Sequence, residues 1–140
     1  MPNGATLMKT ILLVEDDPLV MGVFRSVLQS EGYAILEATS PEQALKWRRS
    51  SQRIDLIIAD VGLPLRSGIQ VAFELRKSIP DLRIILTSGY PADMWPDVAL
   101  LREVPSDAIR ILQKPFLPKE LLDKTEELIG IPNSAASRVH

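Results

Sequence analysis

DLIIADVGLPLRSG, residues 55–68, is the stretch that decides the fold. Its first five residues, Asp55 to Ala59, form a strand-length run. The run is apolar enough to lie in the middle of a parallel sheet, where both faces are covered. Asp60 stands alone at its end. Residues 68–78 follow as a helix, with Ile69, Ala72, Phe73 and Leu75 among the apolar positions. A buried strand, a polar residue at its tip and an amphipathic helix make one unit, and the same unit recurs on either side.

Toward the N-terminus, Thr10 to Val14 (TILLV) is a buried strand and residues 18–31 are a helix. Leu19, Val20, Val23, Phe24, Val27 and Leu28 fall at helical spacing there. Asp16 or Asp17 suits its N-cap, Pro18 its first turn and Gly32 the position after its end. Residues 33–38 are a second strand. A second helix runs from Pro41 to about Arg49, with Ser40 as N-cap. Toward the C-terminus, Pro80-Asp81 is a turn and residues 83–86 are a fourth strand. Residues 93–103 are expected as a short helix, crowded by Pro91, Pro96 and Pro105. Residues 109–112 are a fifth strand. Residues 118–129 are a last helix, with Leu121, Leu122, Thr125 and Leu128 on one face and Gly130 ending it. Five strands alternating with helices predict an α/β, (βα)5 doubly wound domain over residues 9–130. Residues 1–8 read as a flexible arm and 131–140 as a flexible tail.

Composition removes several chemistries. There is no cysteine, so disulfides, thiol nucleophiles and cysteine-ligated metals are excluded. The single histidine, His140, is the last residue, which argues against a histidine metal site or a Ser–His–Asp triad. Sixteen basic and 18 acidic residues give a net charge of -2, without the basic excess of nucleic-acid binders. The longest apolar runs are strand-sized, far from the ~20 residues of a membrane helix. The first nine residues lack the apolar core of a signal peptide. A soluble, cytoplasmic protein is the expectation.

Doubly wound sheets bind ligands beyond the C-terminal ends of their strands. Glu15, Asp16 and Asp17 follow the first strand, Asp60 the third, Thr87 and Ser88 the fourth, and Gln113 and Lys114 the fifth. Only the fold can gather residues so far apart in the chain. Clustered carboxylates repel, so they must protonate or find a cation. Lys114 supplies one charge, and a hard, oxygen-preferring ion such as Mg2+ fits the deficit. Metal, carboxylate, hydroxyl and lysine together suit phosphoryl transfer. With no cysteine or internal histidine, a carboxylate must be the acceptor, and Asp60 is the best candidate.

At these residues the chain resembles the response-regulator receiver family of two-component signalling. The matching stretches are ILLVEDDP (11–18), DLIIADVGLPLRSG (55–68), IILTSGYP (84–91) and LQKPF (112–116). The resemblance implies a flavodoxin-like sheet in the order 2-1-3-4-5. It implies Asp60 as phosphoacceptor, and Mg2+ held by Glu15, Asp16, Asp60 and the backbone carbonyl of Gly62. It implies Thr87 as switch hydroxyl, Lys114 as phosphate-binding lysine and a cis Lys114–Pro115 bond. Its implied partners are a histidine kinase or phosphotransfer domain and a downstream protein, with phosphorylation-dependent homodimerisation open. Such a chain would be a stand-alone receiver or a piece of a larger protein. ILTSGYP and LQKPF are similar to receivers in hybrid histidine kinases.

Four departures from the family pattern stand out. Glu15 replaces the frequent aspartate, and Ser88 the frequent alanine. Ile111 occupies the usual switch-aromatic position. Gly62 and Gly89 leave two control positions without side chains, so acyl-phosphate lifetime is expected to depend on metal, backbone and partners. Beside the switch, three rivals stand. A Mg2+-dependent aspartyl-phosphate phosphohydrolase lacks a cap and an acid–base group beside Asp60. A phosphorylation-independent interaction module would not need Asp16, Asp60, Thr87 and Lys114 together. A flavodoxin-like cofactor protein would not surround a phosphate with carboxylates. Tyr90 and Trp95 read first as packing of a proline-rich loop and second as a partner surface. Trp47 reads as half-buried, and Arg48, Arg49 and Arg53 as a solvated face.

Overall fold

The computed structural model describes residues 8–132. Most of the expected N-terminal arm, most of the tail and His140 lie outside the described residues. The strands are β1 (Thr10–Val14), β2 (Ala34–Ala38), β3 (Leu56–Asp60), β4 (Arg83–Ser88) and β5 (Ile109–Gln113). The helices are α1 (Pro18–Ser30), α2 (Pro41–Lys46), α3 (Gly68–Ser78) and α4 (Pro118–Ile129). The sheet order is β2-β1-β3-β4-β5, and every strand pair is parallel. That is the expected doubly wound topology.

Side chains of a strand alternate between faces, and the sheet divides two cores accordingly. Leu12 and Val14 of β1, with Ile57 and Ala59 of β3, pack against α2 and α3 through Ala44, Ile69, Ala72 and Leu75. Ile11 and Leu13, with Leu56 and Ile58, pack against α1 and α4 through Phe24, Leu28, Leu121 and Leu128. All five β1 residues are buried, which is why TILLV is apolar without interruption. Each fully buried leucine or isoleucine contributes about 1.5–3 kcal/mol.

The caps follow the sequence. The Asp17 carboxylate accepts from the amides of Leu19 (2.9 Å) and Val20 (3.4 Å), so Asp17 rather than Asp16 opens α1. Ser40 accepts from the Gln43 amide, with Pro41 next to it. Gly32 takes φ 105°, a value costly for any side chain, where the chain turns from α1 into β2.

The structure corrects the expected helix at 93–103. Three 3-10 segments stand there instead: Ala92–Met94, Val98–Glu103 and Ser106–Ala108. Pro96 forces Trp95 out of the helical region, to φ -78° and ψ 139°. Asp97 then takes left-handed φ 59°, so no α-helix can propagate through it. The fourth crossover still covers its face, burying Trp95, Val104 and Ala108 in the core. Helix α2 is also shorter than expected, because Trp47–Arg49 tightens into a 3-10 turn. Two of the apolar residues at helical spacing on α1 point outward: Leu19 is 80% and Val23 53% exposed.

Candidate functional site

Strand register builds the site. Asp60 and Thr87 are direct partners across β3 and β4, so their side chains share a face. Val14 pairs with Ala59, which brings the next residue, Glu15, beside Asp60. Backbone bonds continue past the strands. The Val61 amide donates to the Thr87 carbonyl (2.8 Å), and the Lys114 amide to the Ser88 carbonyl (2.8 Å). Asp60 is thus the last residue of β3, and Thr87 the last but one of β4, so both belong to the ladder rather than to the loops.

Carboxylate oxygens of Glu15, Asp16 and Asp60 lie within 4.8 Å of one another. Lys114 Nζ reaches Glu15 Oε1 at 3.1 Å and Asp60 Oδ2 at 3.4 Å. The Gly62 amide donates to Asp60 Oδ1 at 3.0 Å, and the Asp17 amide to Glu15 Oε2 at 3.2 Å. Burial pushes the Glu15 carboxyl above its ordinary pKa, against the pull of the Lys114 hydrogen bond. Burial also draws Lys114 down, but the hydrogen bond it donates to Glu15 and the charges of Asp60 and Glu15 outweigh it and leave its pKa raised. Three carboxylates and one ammonium leave the cluster anionic. Its donors are all hard oxygens, and one member, Asp16, faces solvent. That set fits Mg2+, which takes one or two carboxylates and keeps several waters.

Thr87 is 1% exposed, and its Oγ1 is buried without a hydrogen-bond partner. A buried hydroxyl left unpaired costs about 1–3 kcal/mol. It lies across the register from Asp60. The Lys114–Pro115 bond is cis, as the resemblance implied. Beside Lys114, Leu19, Val23, Pro115 and Phe116 line an open hollow of about 330 Å3.

The two aromatics after β4 divide. Trp95 is buried and donates from Nε1 to the Tyr90 carbonyl at 2.9 Å, as packing requires. Tyr90 is 60% exposed, and its amide donates to Ser88 Oγ. Two features escaped sequence reasoning. A Cβ on Gly68 would stand 2.3 Å from the Asp60 carbonyl oxygen, so only glycine lets α3 start against the backbone of Asp60. Ser67 Oγ caps α3 and donates to Asp97 Oδ2 at 3.2 Å, joining the β3–α3 loop to the 3-10 crossover. The SG pair before the helix was a legible signal for the cap. Nothing in the sequence pairs residues 67 and 97.

This strand order, with acids, a hydroxyl and a lysine gathered at the carboxyl ends of β1, β3, β4 and β5, defines a doubly wound domain with an acidic, metal-suited site at its sheet edge. The family model of the response regulator receiver domain matches residues 11–126, and the chain belongs to that family. It is 39% identical over 123 residues to the sensor kinase CckA of Brucella abortus, covering 86% of this chain and 12% of CckA. It is 32% identical over 120 residues to the aerobic respiration control protein ArcA of Escherichia coli, covering 86% of this chain and 48% of ArcA. The chain thus spans half or less of these relatives' length. Among solved structures it resembles the response regulator TrrA of Thermotoga maritima in complex with Mg2+–BeF. The TM-score there is 0.66 at 36% identity, covering 86% of this chain and 98% of that one. The protein is a receiver domain of two-component signalling. Among the described residues no helix is long and apolar enough to cross a membrane.

Proposed function

We propose that Asp60 is the phosphoacceptor of a two-component phosphorelay, taking its phosphoryl group from the phosphohistidine of a histidine kinase or phosphotransfer domain. The observation that carries this reading is the convergence on Asp60: two further carboxylates, the Lys114 ammonium at 3.4 Å and, across the register, an unpartnered Thr87 hydroxyl. An Asp60 carboxylate oxygen forms the new bond to phosphorus. The phosphorus–nitrogen bond breaks, and the imidazole nitrogen keeps the electron pair and takes a proton from solvent. Glu15, Asp16, Asp60 and the Gly62 carbonyl would hold Mg2+, which supplies electrophilic neutralisation of phosphoryl oxygens when bound. Lys114 turns from Glu15 and Asp60 toward a phosphoryl oxygen. Thr87 Oγ1 donates to another and gains the partner it lacks. The crossover of 3-10 segments, residues 91–108, then shifts between two populations with different affinities for a downstream protein.

The donor histidine must reach Asp60, and the hollow beside Lys114 suits it. Leu19 and Val23 are exposed there, next to the lysine that borders the acceptor. In this reading the switch is cytoplasmic, and a cysteine-free sequence suits a reducing compartment. An aspartyl-phosphate phosphohydrolase has less support, because Gly62 and Gly89 offer no acid–base side chain beside the acceptor.

The test is peptide mass spectrometry after incubation with Mg2+ and acetyl phosphate, with Trp95 emission followed on adding beryllofluoride in a Trp47→Phe background. The expected result is a phosphoryl adduct on Asp60, absent in Asp60→Asn, and an emission change that requires Mg2+. An unmodified Asp60 with every donor refutes the reading. Light scattering on the same sample reads whether the loaded form dimerises.

A further inference from the structure

The edge of the sheet opposite Asp60 carries the reverse charge. Lys9 lies just before β1 and Arg83 opens β4. A five-residue strand at about 3.3 Å per residue puts the two edges roughly 17 Å apart. Lys9 and Arg83 are both half-buried, and neither side chain has an ion-pair or hydrogen-bond partner among the described residues. Residues 1–7 and 133–140 contain no Asp or Glu, so no carboxylate side chain from there can supply one.

Both residues line one cavity of about 640 Å3. Small-molecule sites span roughly 300–1,000 Å3. Arg48 and Arg53 line it as well, which the reading of a merely solvated face did not foresee. Arg48 holds Glu74 only at 3.8 Å. Of the two acids in the lining, Asp55 is fully engaged: Oδ2 accepts from the Thr10 amide (2.8 Å) and Oδ1 from Arg53 Nε (2.9 Å). Asp81 is exposed and faces solvent. Four cations against two carboxylates leave the cavity cationic, and it stays so if Glu74 is counted. A partly desolvated cation without a counter-charge is unfavourable, and an anion with two charges restores the balance. The planar guanidinium matches phosphate geometry, while the lysine acts as a point charge.

We propose that this cavity binds a small phosphorylated ligand, with Lys9 and Arg83 taking its phosphate oxygens. The acidic edge at Asp60 repels the same ligand in the absence of metal, so the two sites are separable by experiment.

The test is an amide-shift NMR titration of the full chain with pyrophosphate, in Mg2+-free buffer with ionic strength held by chloride. Saturable shifts at Lys9, Arg53, Asp81 and Arg83 are expected, with Asp60 and Lys114 unmoved. Lys9→Gln and Arg83→Gln should each weaken binding at least tenfold while Asp60 still accepts phosphoryl from acetyl phosphate. If Arg83→Gln does not fold, Lys9→Gln, outside any strand, decides alone. Absence of saturation by roughly 10 mM, a dissociation constant too weak for a specific site, overturns the proposal. So does binding untouched by the substitutions. Equal binding of succinate overturns the phosphate class. Cosedimentation with phosphatidylglycerol vesicles without a response to pyrophosphate assigns the cations to a lipid surface and overturns it too.

Discussion

Gly68→Ala is the sharpest structural test of how Asp60 is held. Gly68 opens α3, and its amide donates to the Val61 carbonyl at 3.4 Å. A Cβ there would lie 2.3 Å from the Asp60 carbonyl oxygen, 2.8 Å from its carbonyl carbon and 3.1 Å from Ala59 Cβ. Two of those neighbours are backbone atoms of a buried strand, so nothing flexible can swing aside. Either α3 retreats or β3 bends at Asp60. Overpacking of this kind costs typically about 1–3 kcal/mol. The better helix propensity of alanine, up to about 1 kcal/mol in a helix interior, offsets only part of it. A net loss of about 1–2 kcal/mol is expected, together with slower acyl-phosphate formation because Asp60 itself is displaced. Urea unfolding reads the first quantity. With an m-value near 1–3 kcal/mol/M, the midpoint falls by roughly 1 M. Phosphorylation by acetyl phosphate reads the second. Gly22→Ala is the matched control: in α1, its nearest neighbour would be the tip of Arg25 at 3.7 Å, so it should be neutral or stabilising. A Gly68→Ala protein as stable as Gly22→Ala, with an unchanged phosphorylation rate, refutes the reasoning.

Gly62→Asn and Gly89→Glu should each change the acyl-phosphate lifetime severalfold, measured as loss of the adduct. A Cβ at Gly62 would come within 3.7 Å of Asp60 Oδ1, and one at Gly89 meets nothing within 4 Å. Equal lifetimes in both would mean these are not control positions. Ser67→Ala should cost about 1 kcal/mol through the lost α3 cap. It should also speed amide exchange in residues 91–108 through the lost Asp97 contact, and exchange that stays slow there argues against the tether. Glu127 has its pKa lowered, first by the hydrogen bond from Arg110. The stabilisation is therefore complete above the ordinary glutamate value and is lost as pH falls through the lowered one. A carboxyl NMR titration should find the Glu127 midpoint depressed in the wild type and moved up in Arg110→Gln.

The sheet and the cluster at its edge were legible in the chain because central parallel strands, covered on both faces, read as short continuous apolar runs that end on a polar residue. TILLV, DLIIA and RIIL announce buried strands, and a polar residue at the tip of each falls where such a sheet binds ligands. Asp60, Thr87, Glu15 and Lys114 were reachable by that rule alone. The fourth crossover was not. Its composition fits a helix, and the veto comes from Pro96 acting on Trp95 and from Asp97 at positive φ, a conformation that composition does not announce. Leu19 and Val23 misled for a related reason. Periodicity finds an apolar stripe on α1, but it cannot say that Met21, Phe24 and Leu28 suffice to fill the core beneath. Gly68 and the Ser67–Asp97 bond depend on distances across the fold, and no local signal carries them.

The 3-10 crossover has a consequence for the order in which the molecule opens. An i to i+3 bond has poorer geometry than the α-helical one, and runs of it are short. Segments with few buried contacts and exposed backbone bonds open first, well below the free energy of global unfolding. Residues 91–108 hang from β4 at one end and β5 at the other, while the strands themselves stay clamped between two cores. Under a slow protease or in exchange against heavy water, this stretch should behave as a separate, earlier unit. A partner that grips it meets a surface it can reshape while the sheet stays clamped between its two cores.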